Sequence, residues 1–329
     1  MTTAPFDADT GLVCAYLVPT KGPAKPLTWD EIGQVKPDDG LLWVHLDFSK
    51  QRASDWIENE SGLDYTITEA LLAEDSRPRS VQFVEGILTI LRGVNNNPGS
   101  EAEDMVSIRM WLEKHRIITT RRRRLLSVSD VRQTIEAGSG PRSSGQFVAE
   151  IAARLVDRIV EVVNDIDDAQ DAAEGRIEGS GETTQRGEFA DIRRRTARIR
   201  RHLLPQRDAL DRLSRMQGPY IDAQDGLDLQ EAANNVLHAV EELDLTRERA
   251  MVAREEVLNI LAHEQNSKMY LLSIVAAVFL PLTFISGLLG MNVGGIPWAD
   301  SPVGFWGIVG ICVVIVVMML FYFRHKRWF

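Results

Sequence analysis

The stretch MYLLSIVAAVFLPLTFISGLL, from Met269 to Leu289, runs 21 residues without a charged side chain, and VGFWGIVGICVVIVVMMLFYF, from Val303 to Phe323, does the same. A hydrocarbon core about 30 Å thick takes roughly 20 apolar residues as helix, so both stretches predict membrane spans. The connector between them, residues 291–302, holds Gly, Pro, Asn and one acid, Asp300, and is too short for a folded domain. A large polar part therefore precedes residue 268, and a two-helix apolar part follows it.

The charges are segregated in the same way. Beyond residue 267 they are Lys268, Asp300, Arg324, Lys326 and Arg327, a balance of +3; the net charge of −10 leaves −13 on residues 1–267. That acidity argues against a nucleic-acid partner and suits a surface that attracts cations. The first residues lack the basic and apolar regions of a cleavable signal, so the polar part is expected to stay in the cytoplasm. Basic residues flank both spans on one side and the connector has none. By the positive-inside rule both termini are cytoplasmic and the connector faces outward, across a bacterial inner membrane. Cys14 and Cys312 are isolated, which leaves no disulfide framework or Cys-x-x-Cys site within the chain.

Taken in order, residues 11–18 and 41–48 read as strands, with a short helix at 29–35 between them. Helices follow near 55–59 and 66–73, then strands at 81–83, 87–94, 105–112 and 117–120, the last two joined as a hairpin. A helix from Leu125 ends at Gly138-Ser-Gly-Pro141. The pattern predicts an α/β domain of six or seven strands over residues 1–140. Residues 141–227 predict an antiparallel helical hairpin, 146–178 and 183–216, broken at Gly179-Ser180-Gly181. Its first helix carries Asp165, Asp167, Asp168 and Asp171, and its second Arg193, Arg194, Arg195 and Arg198. Acids are thus expected to meet arginines across the pair. From 227 through 280 no glycine or proline occurs, and Leu229, Ala233, Val236, Val240 and Leu243 keep helical spacing. One helix is predicted there, a stalk over 228–268 continuing into the first span, 269–290. Its seam, unable to bury itself, is expected to pack on copies of itself with help from the hairpin. The connector (291–302), second span (303–323) and basic tail (324–329) complete an α+β/α architecture.

Candidate chemistry in the polar part is thin. Arg121–Arg124 reads as the solvated basic edge of a strand-to-helix junction. The six histidines are scattered, with no His-x-x-x-His pair; His238 and His263 on the stalk, together with Asp300, are the weak metal candidates. No phosphate-binding Gly-rich loop ending in Lys-Ser/Thr is present, which argues against nucleotide use. No nucleophile, base and orienting acid come together, so no enzyme is indicated and no cofactor is implied.

The first span carries a sharper signal. Met269, Leu272, Ala276, Leu280, Thr283 and Gly287 share a stripe about 80° wide at 100° per residue. In a symmetric bundle this stripe of smaller or more polar residues could line a narrow channel; in a lone anchor it is an ordinary packing face.

Gly290-Met291-Asn292, at the outer end of the first of two C-terminal spans, resembles the signature of the CorA-type divalent-cation transporters, and the resemblance extends along the whole chain. Val293-Gly294-Gly295-Ile296-Pro297, Leu91-Arg92-Gly93-Val94-Asn95 and Glu103-Asp104-Met105-Val106-Ser107-Ile108-Arg109 are similar to its ZntB zinc-transporter branch. The resemblance implies a homopentamer with a cytoplasmic funnel, the first span lining the pore, Gly290, Met291 and Asn292 at its entrance, and Zn²⁺ as the transported ion. Counted back from Asn292, the pore-facing positions it implies are Thr283, Leu280, Leu272 and Met269, four of the six stripe residues. Leu280 departs from the methionine of the magnesium channels. A magnesium channel of the same architecture, and a membrane-tethered sensor whose spans only anchor it, are the competing readings.

Overall fold

The computed structural model of the chain describes residues 9–177, 185–216, 218–291, 293–296, 301 and 303–325. Two compact units divide within one long helix, at Arg254/Glu255.

The first unit is built on a seven-stranded mixed sheet in the order β2-β1-β3-β7-β6-β5-β4. The strands are β1 (Leu12–Val18), β2 (Lys25–Pro26), β3 (Leu41–Asp47), β4 (Arg79–Gln82), β5 (Ile87–Gly93), β6 (Val106–Leu112) and β7 (Arg116–Arg121). Only β3 and β7 pair in parallel. β2, which the sequence pattern did not mark, is two residues long and ends in a proline, a residue tolerated at a sheet edge. The predicted β6–β7 hairpin is present, Met110 opposite Thr119 and Leu112 opposite Ile117.

β3 explains why the core strands are apolar on both faces. Leu42, Val44 and Leu46 pack with Trp56 and Ile57 of α2 (Gln51–Asn59) and Ile67 and Leu71 of α3 (Tyr65–Leu72). On the other face Trp43 meets Phe147 of α5 (Ser144–Ile177) at 5.0 Å between ring centroids, and its indole donates to Thr119 Oγ1 at 2.9 Å. A strand covered on both sides loses the apolar–polar alternation of a half-exposed one. A short α1 (Trp29–Ile32) and α4 (Leu126–Glu136) complete the layers with α6 (Gln185–Ser214), whose Gln206 accepts the backbone N–H of Arg92 on β5 at 2.7 Å.

α5 and α6 form the predicted hairpin, sealed by Val163, Ile166 and Ala173 on one helix and Phe189, Ile192 and Ile199 on the other. The predicted ladder of acids against arginines is not how they pair. Among the described residues, Arg176–Glu188 at 2.7 Å is the ion pair between the two helices. The arginines of α6 turn elsewhere: Arg195 to Glu103, and Arg200 to Asp244 at 2.6 Å. The acids of α5 are gathered instead by Arg249 of the next helix, which holds Asp167 at 3.2 Å, Glu174 at 2.6 Å and also Asp171. These contacts hold the Glu174 carboxyl below its ordinary value, the hydrogen bond from Arg249 being the largest cause. The break at 179–181 lies outside the described residues.

That next helix, α7 (Ala223–Leu289), is 67 residues long, about 100 Å at 1.5 Å per residue. It begins five residues before the predicted start. Asp222 and Asp225 cap it reciprocally, Asp225 N donating to Asp222 Oδ1 at 2.8 Å and Asp222 N to Asp225 Oδ2 at 3.2 Å. Gly226 is no helix breaker here: a Cβ on it would lie 2.9 Å from the carbonyl oxygen of Ser214, so glycine permits that close approach. The seam expected to need other copies is already covered within the first unit, where Leu229, Ala233, Val236, Val240, Leu243 and Ala250 are buried. Leu227, Leu245 and Val252 lie on its outside and are exposed.

The second unit holds the end of α7 and α8 (Gly304–His325). Each helix has one sheltered stripe. On α7 it is Ile274, Ala277, Val278, Pro281, Leu282, Ile285 and Leu289; on α8 it is Ile308, Cys312, Ile315, Val316, Met319 and Phe323. Only 6% of the most apolar 18-residue window in each helix is buried, so almost all of this apolar surface awaits a nonaqueous partner.

Candidate functional site

The six stripe residues all lie within α7 and all are exposed in the single chain, Leu280 most of all at 73%. At 100° per residue their face is roughly opposite the sheltered stripe centred near Pro281 and Ile285. The side of α7 that α8 leaves bare is thus the side that carries Met269, Leu272, Ala276, Leu280, Thr283 and Gly287. Pro281, which cannot donate the hydrogen bond of a regular helix, frees the carbonyl of Ala277; both residues belong to the sheltered side, away from the stripe. Neighbouring hydroxyls are tied to the backbone: Ser273 Oγ donates to Met269 O at 2.9 Å and Ser286 Oγ to Thr283 O at 3.1 Å. Thr283 is the one hydroxyl residue on the stripe itself.

At the end of α7 the Gly290 N–H still bonds helically to Ser286 O at 2.9 Å, and among the described residues of this region the positive φ belongs to Gly295 at 96°. A Cβ at Gly290 would sit 3.0 Å from Ser286 O, which makes tightness at the helix end the reason for glycine. Met291 is 48% exposed. Asn292, the third residue of the motif, lies outside the described residues, as do Asp300, Lys326 and Arg327.

The metal candidates on α7 do not converge. The side chain of His238 is 73% exposed and its Nδ1 is 3.4 Å from Glu241; His263 is exposed too. Among the described residues no group of three or more His, Cys, Asp or Glu could hold a metal ion. The sheet register does bring Cys14 opposite His45, a pairing invisible in sequence spacing. Burial pushes the Cys14 thiol up to about 12 and holds His45 neutral, while Arg121 and Arg132 stand close to both. A protonated thiol beside two guanidinium groups is no cation site.

What the geometry offers is two apolar helices with one bare, modestly polar face, joined to a large acidic unit. Residues 38–326 match the family model described as CorA-like Mg2+ transporter protein. The chain belongs to the CorA family of divalent-cation transporters. It is 36% identical over 324 residues to the divalent cation transporter CmaX of Pseudomonas aeruginosa, covering 97% of each chain. It is 32% identical to the zinc transport protein ZntB of Pectobacterium atrosepticum, over 97% of this chain and 96% of the relative. Its fold superposes on the solved full-length CmaX with a TM-score of 0.84 at 35% identity, over 97% of this chain and 99% of that one. The complete CorA magnesium transporter of Methanocaldococcus jannaschii has the same fold, with a TM-score of 0.82 at 17% identity over 96% and 98% of the chains. Identities this similar to a CmaX and to a ZntB do not separate the two branches. As a CorA-family member the chain is an inner-membrane divalent-cation transporter with two spanning helices, in a family that is not enzymatic.

Proposed function

We propose that the chain assembles as a homopentameric pore that carries Zn²⁺ into the cytoplasm, with α7 lining the pore, α8 outside it and both termini cytoplasmic. The observation that carries the reading is the exposure of the stripe from Met269 to Gly287 on the side of α7 turned away from its sheltered face. Closing such faces around an axis buries them against one another and leaves a narrow channel at the centre. Leu280, Leu272 and Met269 form its apolar constrictions, which pass an ion only when widened and wet. A ring of Asn292 at the outer end, with Gly290 and Met291 supporting it, presents amide oxygens without net charge. Neutral oxygens suit an ion held through its water shell, whereas a carboxylate ring would bind it more tightly and release it slowly.

Zinc as the ion rests on the relatives named ZntB and on the loop 293–297. An inside-negative potential favours inward movement of a dication by about 4.6 kcal/mol per 100 mV. Neither span contains Asp, Glu, Lys, Arg or His. Any coupled proton therefore travels with the ion's water or through groups outside the spans.

The test is Zn²⁺ flux into proteoliposomes, with the acidic side set first outside and then inside. Inward flux is expected, and Asn292→Ala is expected to abolish it while the oligomer keeps its elution volume. Undiminished flux in that variant overturns the entrance role. Preferential conduction of Mg²⁺ in competition with Zn²⁺ overturns the ion.

A further inference from the structure

The run Arg121–Arg124 is the solvated basic edge its sequence suggests, with Arg122, Arg123 and Arg124 exposed, and part of it faces a cleft. Arg122 and Arg123 line a cavity of about 200 Å³ together with Arg92 of β5, Arg109 of β6, Glu74 and Asp104. Four guanidinium groups thus converge from three separate segments of an acidic chain.

Arg109 is the unusual member. It is only 2% exposed, and no carboxylate lies within ion-pair distance of it. Its Nη2 donates to the carbonyls of Ala73 and Glu74, and its guanidinium carbon stands 4.8 Å over the ring of Phe48. Its Nε is buried without any hydrogen-bond partner. Burial lowers its pKa to about 10, with Arg92 and Arg122 adding to the effect, so it remains a cation at neutral pH. Of the nearby carboxylates, Glu74 pairs with Arg122 of the same lining at 2.9 Å, and Asp75, outside the cavity, pairs with Arg92 at 3.2 Å. A buried cation with like charges for neighbours and a vacant donor is costly unless an anion supplies the missing acceptor.

We propose that this cavity is a binding site for a phosphate-class oxyanion, either inorganic phosphate or the head of a phosphate monoester. The four guanidinium groups outnumber Glu74, Asp104 and the Asp75 paired to Arg92 by one, a positive excess that favours an anion. Guanidinium forks present paired N–H groups at the spacing of phosphate oxygens. The volume of about 200 Å³ is large enough for one phosphate group.

The test uses the full chain in detergent, with thermal unfolding and calorimetric titration against sodium phosphate and against glycerol 3-phosphate. Sodium chloride at equal ionic strength is the control. A saturable rise in Tm beyond the chloride control is expected, and the tighter of the two ligands identifies the source. Arg123 is exposed, so Arg123→Ala leaves the fold intact; it is expected to weaken binding roughly tenfold, the loss of one charge-assisted hydrogen bond. Arg124→Ala, next to it and outside the lining, is expected to bind as the unaltered chain does. Arg109→Met is expected to abolish the phosphate effect without lowering Tm in chloride. Absence of a phosphate-specific shift overturns the proposal, as does an undiminished affinity in Arg123→Ala.

Discussion

The two units of this chain solve opposite problems with the same kinds of side chain. In the first, Trp43, Trp111 and Phe147 are enclosed within one copy, and buried polar groups such as the Trp43 indole and Thr119 hydroxyl find partners inside it. In the second, Phe279, Phe284, Trp306 and Phe321 are mostly exposed in one copy. The first unit is finished by its own chain; the second is half of a structure whose other half is lipid and, on the proposed assembly, further copies. Substitutions should therefore act differently in the two: through stability in the first and through conduction in the second.

The largest effect is expected on the bare face of α7. Thr283→Arg would set a cation from each copy around the proposed pore, where a central arginine costs about 2.5–3.5 kcal/mol on an insertion scale. Zinc flux is expected to fall more than ~10-fold, with membrane insertion and elution volume unchanged. Val317→Ala, on the exposed side of α8, is expected to conduct normally. Equal losses in both would dissolve the distinction between the two faces. The next effect belongs to the first unit. Trp111 is fully buried and its indole donates to Glu113 at 2.7 Å, so Trp111→Ala is expected to cost about 3–5 kcal/mol in denaturant unfolding. A change under about 1 kcal/mol would show that this core is looser than its packing.

Arg249 tests a smaller term. It gathers three partly exposed carboxylates, and Arg249→Met leaves them repelling one another at a cost of about 1 kcal/mol that added salt reduces. The pH dependence follows from the sign of the shift. Glu174 has a folded pKa below its unfolded value of 4.5, so its contribution is fully present above that value and is lost as pH falls through the folded one. The stability gap between the unaltered chain and the variant should be constant from pH 7 to about 5 and narrow as the pH falls further, through the lowered folded pKa of Glu174. A gap that widened on acidification would remove Glu174 from the clamp.

What the sequence made legible was whatever depends on near neighbours. The spans followed from uninterrupted apolar length, the β6–β7 hairpin from two apolar runs around Glu113–Arg116, and the shared exposed face of the α7 stripe from spacing along one helix. What escaped was set by contacts distant in sequence. Gly226 reads as a helix breaker until Ser214 is seen against it. The acids of α5 point to the arginines of α6 by proximity, yet α7 brings Arg249 to them from some 80 residues away. The arginine cavity joins residues 92, 109 and 122, which no local pattern connects. Periodicity predicted that the α7 seam packs on copies of itself with help from the hairpin, yet its residues up to Ala250 are already buried within one copy, where α5 and α6 are tied to α7 through Arg249 and Arg200.

The smallest effect is expected at the two stalk histidines. A zinc site takes three or four ligands at about 2.0–2.3 Å in a tetrahedron. His238 has only Glu241 near it, and His263 lies exposed 25 residues further along the same helix, about seven turns away. Neither geometry assembles a ligand set within one copy. His238→Ala and His263→Ala, singly and together, are therefore expected to leave zinc flux and calorimetric zinc affinity unchanged. A large loss of affinity in either would mean that copies of α7 complete a metal site between them. Ion binding would then belong to the stalk as well as to the bare face of the span, and the division of labour between the two units would have to be redrawn.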